Sequence, residues 1–196
     1  MTDVVLFHHA LGLTPGVLAF ADELRDAGHT VHTPDLFEGR TFATLDEGVA
    51  HARDIGFETV IERGTEAVQG LPVDAVYAGF SIGVLSAQKL AQTRPGARGA
   101  LLFYSCVPLG AFAPRWPESV PVQVHGMNAD PLFVDEGDLD AARALLSSTD
   151  RAELFLYDGD QHYFADSTLP SYDPTAATLL TQRTLDFLDR VDGTEG

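Results

Sequence analysis

The sequence predicts a three-layer α/β architecture, a mostly parallel sheet with helices on both faces. Three observations carry this expectation. Short apolar runs recur without polar–apolar alternation, as in strands buried on both faces. Amphipathic stretches separate those runs, so strand and helix alternate. Glycine and proline punctuate the junctions. At 196 residues the chain is expected to form one domain over 1–196, since domains run at roughly 100–200 residues. That length leaves no room for a large cap domain.

The elements follow in order. Val4 to Phe7 reads as a buried strand. Thr14 is a candidate N-cap with Pro15 in the first helical turn, and the helix runs to about Ala27, where Gly28 stops it. Thr30 to Thr33 is a strand leading into Pro34-Asp35-Leu36-Phe37. Residues 45–69 carry helical spacing, but Gly48, Gly56 and Gly64 predict a broken or bent element. Val73 to Ala78 is a strand, Gly83 to about Arg94 a helix, and Ala100 to Tyr104 a strand. Pro108, Pro114 and Pro117 mark 105–119 as a long loop. Val120 to Val124 reads as a strand, Glu136 to Leu146 as a helix, and Ala152 to Leu156 as a strand. Thr175 to about Val191 closes the chain as a helix, with 192–196 expected to fray.

Charge and cysteine content exclude several functions. There are 29 acidic and 12 basic side chains, a formal net charge of −17. Such a surface repels phosphate backbones and anionic lipid, so nucleic-acid and membrane partners are not expected. Cys106 is the single cysteine, which rules out an internal disulfide and any multi-cysteine zinc site. A lone cysteine suits a reducing compartment. Met1-Thr2-Asp3 lacks the basic start of a signal peptide, and no run approaches the roughly 18 apolar residues of a membrane span. The expected location is cytoplasmic.

The sharpest motif is Gly79-Phe80-Ser81-Ile82-Gly83. It lies between a strand and a helix, the setting of a nucleophile elbow. Glycines flank a turn too tight for side chains, and the serine is held in a strained conformation with its hydroxyl exposed. His162 is the candidate base, in the loop after the strand Ala152–Leu156. Asp130, after the strand Val120–Val124, is the candidate orienting acid, with Asp135 as its rival. The chain order Ser, acid, His is that of the α/β-hydrolase fold. The oxyanion donors are expected to be the N–H of Ile82 and that of Ala10, with Leu11 as second choice for the latter.

With these residues placed, the chain resembles the dienelactone hydrolase family of small α/β-hydrolases. Phe7 to Leu13 resembles the family's first strand and oxyanion loop, and Thr33 to Phe37 its Pro-Asp-Leu-aromatic turn. Gly79 to Gly83 resembles its elbow. Gly126 to Val134 and Gly159 to Phe164 resemble its acid and histidine segments. The resemblance implies Ser81, Asp130 and His162 as a triad. Three departures stand out. The namesake enzymes use a cysteine where this chain has Ser81. Their first-loop glutamate is here His9. An arginine that holds the substrate carboxylate, four residues after the histidine, is here Asp166. An acid there is expected to repel a carboxylate, so the resemblance does not carry dienelactone itself over as substrate.

Other residues complete the expectations. His9, Leu11, Phe37, Tyr104, Phe133 and Tyr163 are candidates for the pocket lining. His8 and His9 are adjacent and point to opposite faces, so they are a poor metal pair. Cys106 reads as a small buried side chain, His125 as a structurally bonded histidine and Arg40 as a surface cation. The predicted protein is a serine hydrolase of small esters, lactones or thioesters, without metal or organic cofactor. Its partner is a small-molecule substrate, and the chain is expected to be a monomer or homodimer. The alternatives are a non-catalytic ligand-binding or regulatory protein on the same fold, and a nucleotide-binding domain using 79–83. The absence of Gly-Lys-Ser/Thr and of G-x-G-x-x-G argues against the second.

Overall fold

A computed structural model describes residues 1–193. Six parallel strands form one sheet: β1 (Asp3–Phe7), β2 (Thr30–His32), β3 (Ala75–Phe80), β4 (Gly99–Phe103), β5 (Val122–Met127) and β6 (Ala152–Tyr157). Their spatial order is β2-β1-β3-β4-β5-β6. Every pairing is parallel, so all strands end at one edge, where the connecting loops meet. Seven α-helices link and cover the strands: α1 (Pro15–Asp26), α2 (Leu45–Ile55), α3 (Phe57–Ala67), α4 (Gly83–Thr93), α5 (Pro131–Val134), α6 (Asp138–Ser148) and α7 (Pro174–Asp192).

Alternate residues of each strand feed two cores. Val4, Leu6, Val76, Ala78, Leu101 and Phe103 pack against α1 and α7. Val5, Phe7, Tyr77, Leu102, Val122 and Val124 pack against the opposite layer, which includes α4 and α6. Both sheet faces are therefore apolar, which is why the central strands read as continuous hydrophobic runs.

Several boundaries differ from expectation. β3 starts at Ala75 and continues through Phe80, so the first two residues of the glycine-serine motif are strand. β5 continues past Val124 through His125-Gly126-Met127, a segment expected as loop. These residues stay in register with Phe155, Leu156 and Tyr157 of β6. The glycine there is a packing requirement, since a Cβ at Gly126 would stand 2.6 Å from the Phe133 ring. α5 was not anticipated. It is one turn started by Asp130 as N-cap with proline in its first turn. Residues 45–69 do break, into α2 and α3 at Gly56. Of the tail expected to fray, Asp192 is the last residue of α7 and 194–196 lie outside the described residues.

The elbow rests on two close approaches. A Cβ at Gly79 would lie 2.4 Å from the Gly83 carbonyl oxygen. One at Gly83 would lie 2.5 Å from the Phe7 oxygen and 2.6 Å from the His8 oxygen. These neighbours are backbone and cannot swing away. Gly83→Ala is therefore expected to cost about 1–3 kcal/mol through overpacking, read as a lower urea midpoint at unchanged m-value.

Two core histidines give the fold an acid limit. Burial holds His125 down to about 3 and His8 down to about 4. In the unfolded chain both titrate near the ordinary value of about 6.5. Above that pH neither state takes a proton, and these groups contribute no pH dependence. Below it the unfolded chain binds protons that the fold refuses, so stability falls. The slope is about 1.4 kcal/mol per pH unit for each histidine, continuing until His8 protonates in the fold near pH 4. Urea midpoints are expected to drop steadily between about pH 6.5 and 4.5; a flat midpoint over that window would contradict this account.

Candidate active site

At the carboxyl edge of the sheet, β3 turns into α4 through Ser81, whose φ is +49°. Left-handed backbone at a non-glycine residue costs of order 1–3 kcal/mol. The surroundings hold it there. The Ser81 N–H donates to the Phe103 carbonyl at 2.7 Å, and the Ser81 carbonyl accepts from Val84 at 2.9 Å.

The Ser81 side chain meets His162, with Oγ 2.9 Å from Nε2. On the far side of the ring, Nδ1 lies 2.6 Å from Asp130 Oδ2. A carboxylate can only accept, so Nδ1 carries the proton and Nε2 is left to accept from the serine hydroxyl. Asp130 uses both oxygens, since Oδ1 accepts the Leu132 N–H at 3.0 Å and caps α5. Asp135, the rival acid, is exposed at the end of α5. Asp130 is 2% exposed and His162 13%, so the acid is shielded while the imidazole keeps an opening to the cleft.

Two loops bring these groups together, and they are fastened to each other. The Asn128 N–H donates to the Tyr157 carbonyl at 2.8 Å and the Ala129 N–H to the Gly159 carbonyl at 2.9 Å. Beyond His162, the Ala165 N–H donates to the Tyr104 hydroxyl at 3.0 Å. Tyr104, just past β4, itself takes a φ of +69°.

Ser81, His162, Ala10 and Ile82 border a cleft of about 760 Å³. Its walls are mainly aliphatic, with Leu45, Val49, Ile61, Val107 and Leu132 among them. Phe57 and Phe112 are its aromatic residues and Arg53 its cation, alongside Asp46, Glu136 and Asp138. Burial raises the Asp138 carboxyl, against hydrogen bonds from Ser105 and the Cys106 N–H. The Ile82 N–H has no backbone acceptor among the described residues, and the Ala10 N–H approaches the Tyr163 hydroxyl next to Ser81. Both backbone groups border the cleft beside the serine.

The expected pocket lining is corrected here. Phe37, Tyr104, Phe133 and Tyr163 are buried, and none of them borders the cleft, nor do His9 and Leu11. Phe37 edges onto His8 and His51, Tyr104 packs on Phe80 and Phe164, and Phe133 fills the space over Gly126. Tyr163 stacks on His9 at 4.5 Å between ring centroids. Its hydroxyl is buried without a hydrogen-bond partner, beside the Ser81 side chain and the Ala10 backbone.

Asp166 is the second correction. It does not face the cleft, so it cannot repel a substrate carboxylate. It is 4% exposed and accepts from His9, from the Thr14 hydroxyl and from both the N–H and hydroxyl of Thr168. These donors hold its carboxyl well below the usual range despite burial. Sequence reading missed this partner because its donors are scattered over 160 positions of chain, although the His9 and Asp166 departures from the family pattern pointed at both members. Cys106 is fully buried with its thiol pushed up to about 12 by burial, an unreactive state. His125 bonds Tyr157 and Gln123. Arg40 is exposed away from the cleft. Among the described residues no cluster of metal-ligating side chains occurs, and no helix is long and apolar enough to cross a membrane.

Comparison with known proteins bears on the family and the fold. A curated carboxymethylenebutenolidase of Rhodococcus opacus is 28% identical over 204 residues, covering 95% of this chain and 80% of that protein. Among solved structures, a dienelactone hydrolase-like promiscuous phosphotriesterase from metagenomic libraries superposes with a TM-score of 0.75. It is 19% identical, with 97% of this chain and 87% of that chain covered. The dienelactone hydrolase of Anabaena variabilis gives 0.65 at 19% identity, covering 96% and 86%. At such identities the structural likenesses speak for the fold. The sequence model of the dienelactone hydrolase family, by contrast, matches residues 1–192, and the chain belongs to that family of hydrolases acting on ester and lactone bonds.

Proposed function

We propose that this protein is a serine hydrolase that cleaves small carboxylic esters, lactones or thioesters through Ser81, His162 and Asp130. The observation that carries the reading is the hydrogen-bonded chain Ser81–His162–Asp130, at 2.9 and 2.6 Å, opening onto an aliphatic cleft. Ser81 Oγ attacks the carbonyl carbon while His162 Nε2 takes its proton. Asp130 holds the imidazole in the Nδ1–H tautomer and stabilises the imidazolium. The N–H groups of Ile82 and Ala10 receive the oxyanion. His162 then protonates the leaving alkoxide or thiolate. Water, deprotonated by the same nitrogen, hydrolyses the acyl-enzyme.

The cleft walls favour an aliphatic acyl group over a charged one. Asp46, Glu136 and Asp138 outnumber Arg53 along them, and the net charge of −17 opposes polyanionic substrates. The same charge supports a partner list without nucleic acid. The single buried thiol supports a reducing, cytoplasmic setting. The chain works as a monomer or homodimer, since each copy holds all the groups the reaction uses.

The deciding experiment is covalent labelling with a fluorophosphonate, followed by intact mass and peptide mapping. One label on Ser81, absent from Ser81→Ala and greatly slowed in His162→Ala, is the expected result. Folded wild-type protein that takes no label would favour a non-catalytic binding role on this fold. In steady-state assays on short-chain p-nitrophenyl esters, Asp130→Asn is expected to lower kcat by about 10⁴-fold by leaving the imidazole in the wrong tautomer. A loss below about tenfold would remove Asp130 from that role.

A further inference from the structure

We propose that His8 and His9 are positioning residues for the reaction, orienting the oxyanion loop as neutral imidazoles of opposite tautomer. The inference rests on the serine hydrolase reading and adds to it the device that aims the Ala10 N–H.

The tautomers follow from the partners. His8 Nε2 accepts the Leu36 N–H at 2.9 Å, so its proton is on Nδ1, which donates to the His9 carbonyl at 2.8 Å. His9 is the reverse. Its Nδ1 accepts the Leu11 N–H at 3.2 Å, so its proton is on Nε2, which donates to Asp166 at 2.9 Å. Neither assignment has an alternative, since a backbone N–H only donates and a carbonyl or carboxylate only accepts. The two rings lie on opposite sides of the chain. His8 packs on Phe37 and His9 on Tyr163.

These bonds fix two consecutive peptide planes. The His9 carbonyl accepts from His8 and also from the Gly12 N–H at 3.0 Å. In a planar trans peptide the carbonyl and the following N–H point in opposite directions. Two donors on the His9 carbonyl therefore aim the Ala10 N–H the other way, and Ala10 borders the cleft beside Ser81. The next plane is held at its N–H end by His9 Nδ1. Asp166 keeps the proton on Nε2 and so keeps Nδ1 free to accept. Its four bonds from His9, Thr14 and Thr168 make that assignment rigid. Both imidazoles are at most 1% exposed, so water does not compete for either plane.

A pair of substitutions at position 9 separates positioning from packing. In His9→Asn the amide oxygen replaces Nδ1 as acceptor for the Leu11 N–H, and the bond to Asp166 is lost. In His9→Gln the amide reaches Asp166, and the acceptor for Leu11 is lost. With p-nitrophenyl acetate, His9→Asn is expected to keep kcat within about threefold, whereas His9→Gln loses about tenfold or more with KM within about twofold. A packing role predicts the reverse order, since glutamine keeps the buried carboxylate paired. Glutamine equal to or better than asparagine therefore overturns the proposal.

Should either variant fail to fold, ¹⁵N NMR of the wild-type imidazoles decides the matter. A His8 Nδ1–H and a His9 Nε2–H tautomer are required, and either ring in the other form overturns the inference. Hydrolysis retained by Ser81→Ala would instead defeat the underlying reading, whatever the histidine variants do.

Discussion

The contact on which the rest of this structure depends is the seating of α4 on the end of β1. Gly83 lies so close to the Phe7 and His8 carbonyls that a single methyl group would collide with both. That approach does two things at once. It brings the first turn of α4, with its unsatisfied N–H groups and positive end, directly under Ser81. It also draws the segment after β1 alongside the elbow, so that Ala10 and Ile82, far apart in sequence, border the same cleft. A wider helix–strand spacing would separate the two backbone donors and relax the strained φ of Ser81 together. The strain, the glycines and the donor pair are thus one geometric fact.

Around that contact, the parallel sheet supplies position and the loops supply chemistry. Because all six strands run the same way, the segments after β1, β3, β5 and β6 emerge at one edge. Parallel order alone would leave them mobile. Here the segments after β5 and β6 are tied to each other, Asn128 to Tyr157 and Ala129 to Gly159, and the second of them is tied to the end of β4, Ala165 to the Tyr104 hydroxyl. Each tie is a hydrogen bond worth about 0.5–1.5 kcal/mol, the Ala165–Tyr104 one buried and the other two nearer the surface. Their value lies in narrowing the distance between Asp130 and His162 rather than in stability.

How far this was legible in the sequence depends on what kind of signal a residue leaves. Gly79 to Gly83 was readable because steric limits on the turn dictate residue types at fixed spacing. Asp130 and His162 were readable because chain order and strand position restrict the candidates to a few. The aromatic residues were not. Phe37, Tyr104, Phe133 and Tyr163 all fall near strand ends on the reactive side. Yet whether a ring there points to the cleft or the core turns on one residue of phase, and irregular backbone sets that phase. Tyr104 shows why: its φ of +69° sends the side chain inward, and no propensity encodes that choice. Asp166 failed for the opposite reason. Its place four residues after His162 reads as facing the substrate, and only the assembled fold reveals four hydrogen bonds converging on it.

Two histidine–aspartate pairs flank the elbow, and comparing them shows why the architecture gives them different work. His162 and Asp130 are 2.6 Å apart, and the free imidazole nitrogen faces a hydroxyl. His9 and Asp166 are 2.9 Å apart, and the free nitrogen faces a backbone N–H. A hydroxyl can give up its proton to a nucleophilic reaction, whereas a peptide N–H cannot be taken at any ordinary pH. The first pair therefore suits proton transfer, and its partial exposure lets the imidazolium form. The second pair can only hold. Its burial at 1% and 4% exposure suits that task, because a carboxylate satisfied by four donors and shut off from water fixes its partner's tautomer more firmly than one open to solvent. What separates the two is the atom placed opposite the second nitrogen, and the fold of the chain after β1 and β3 sets that atom.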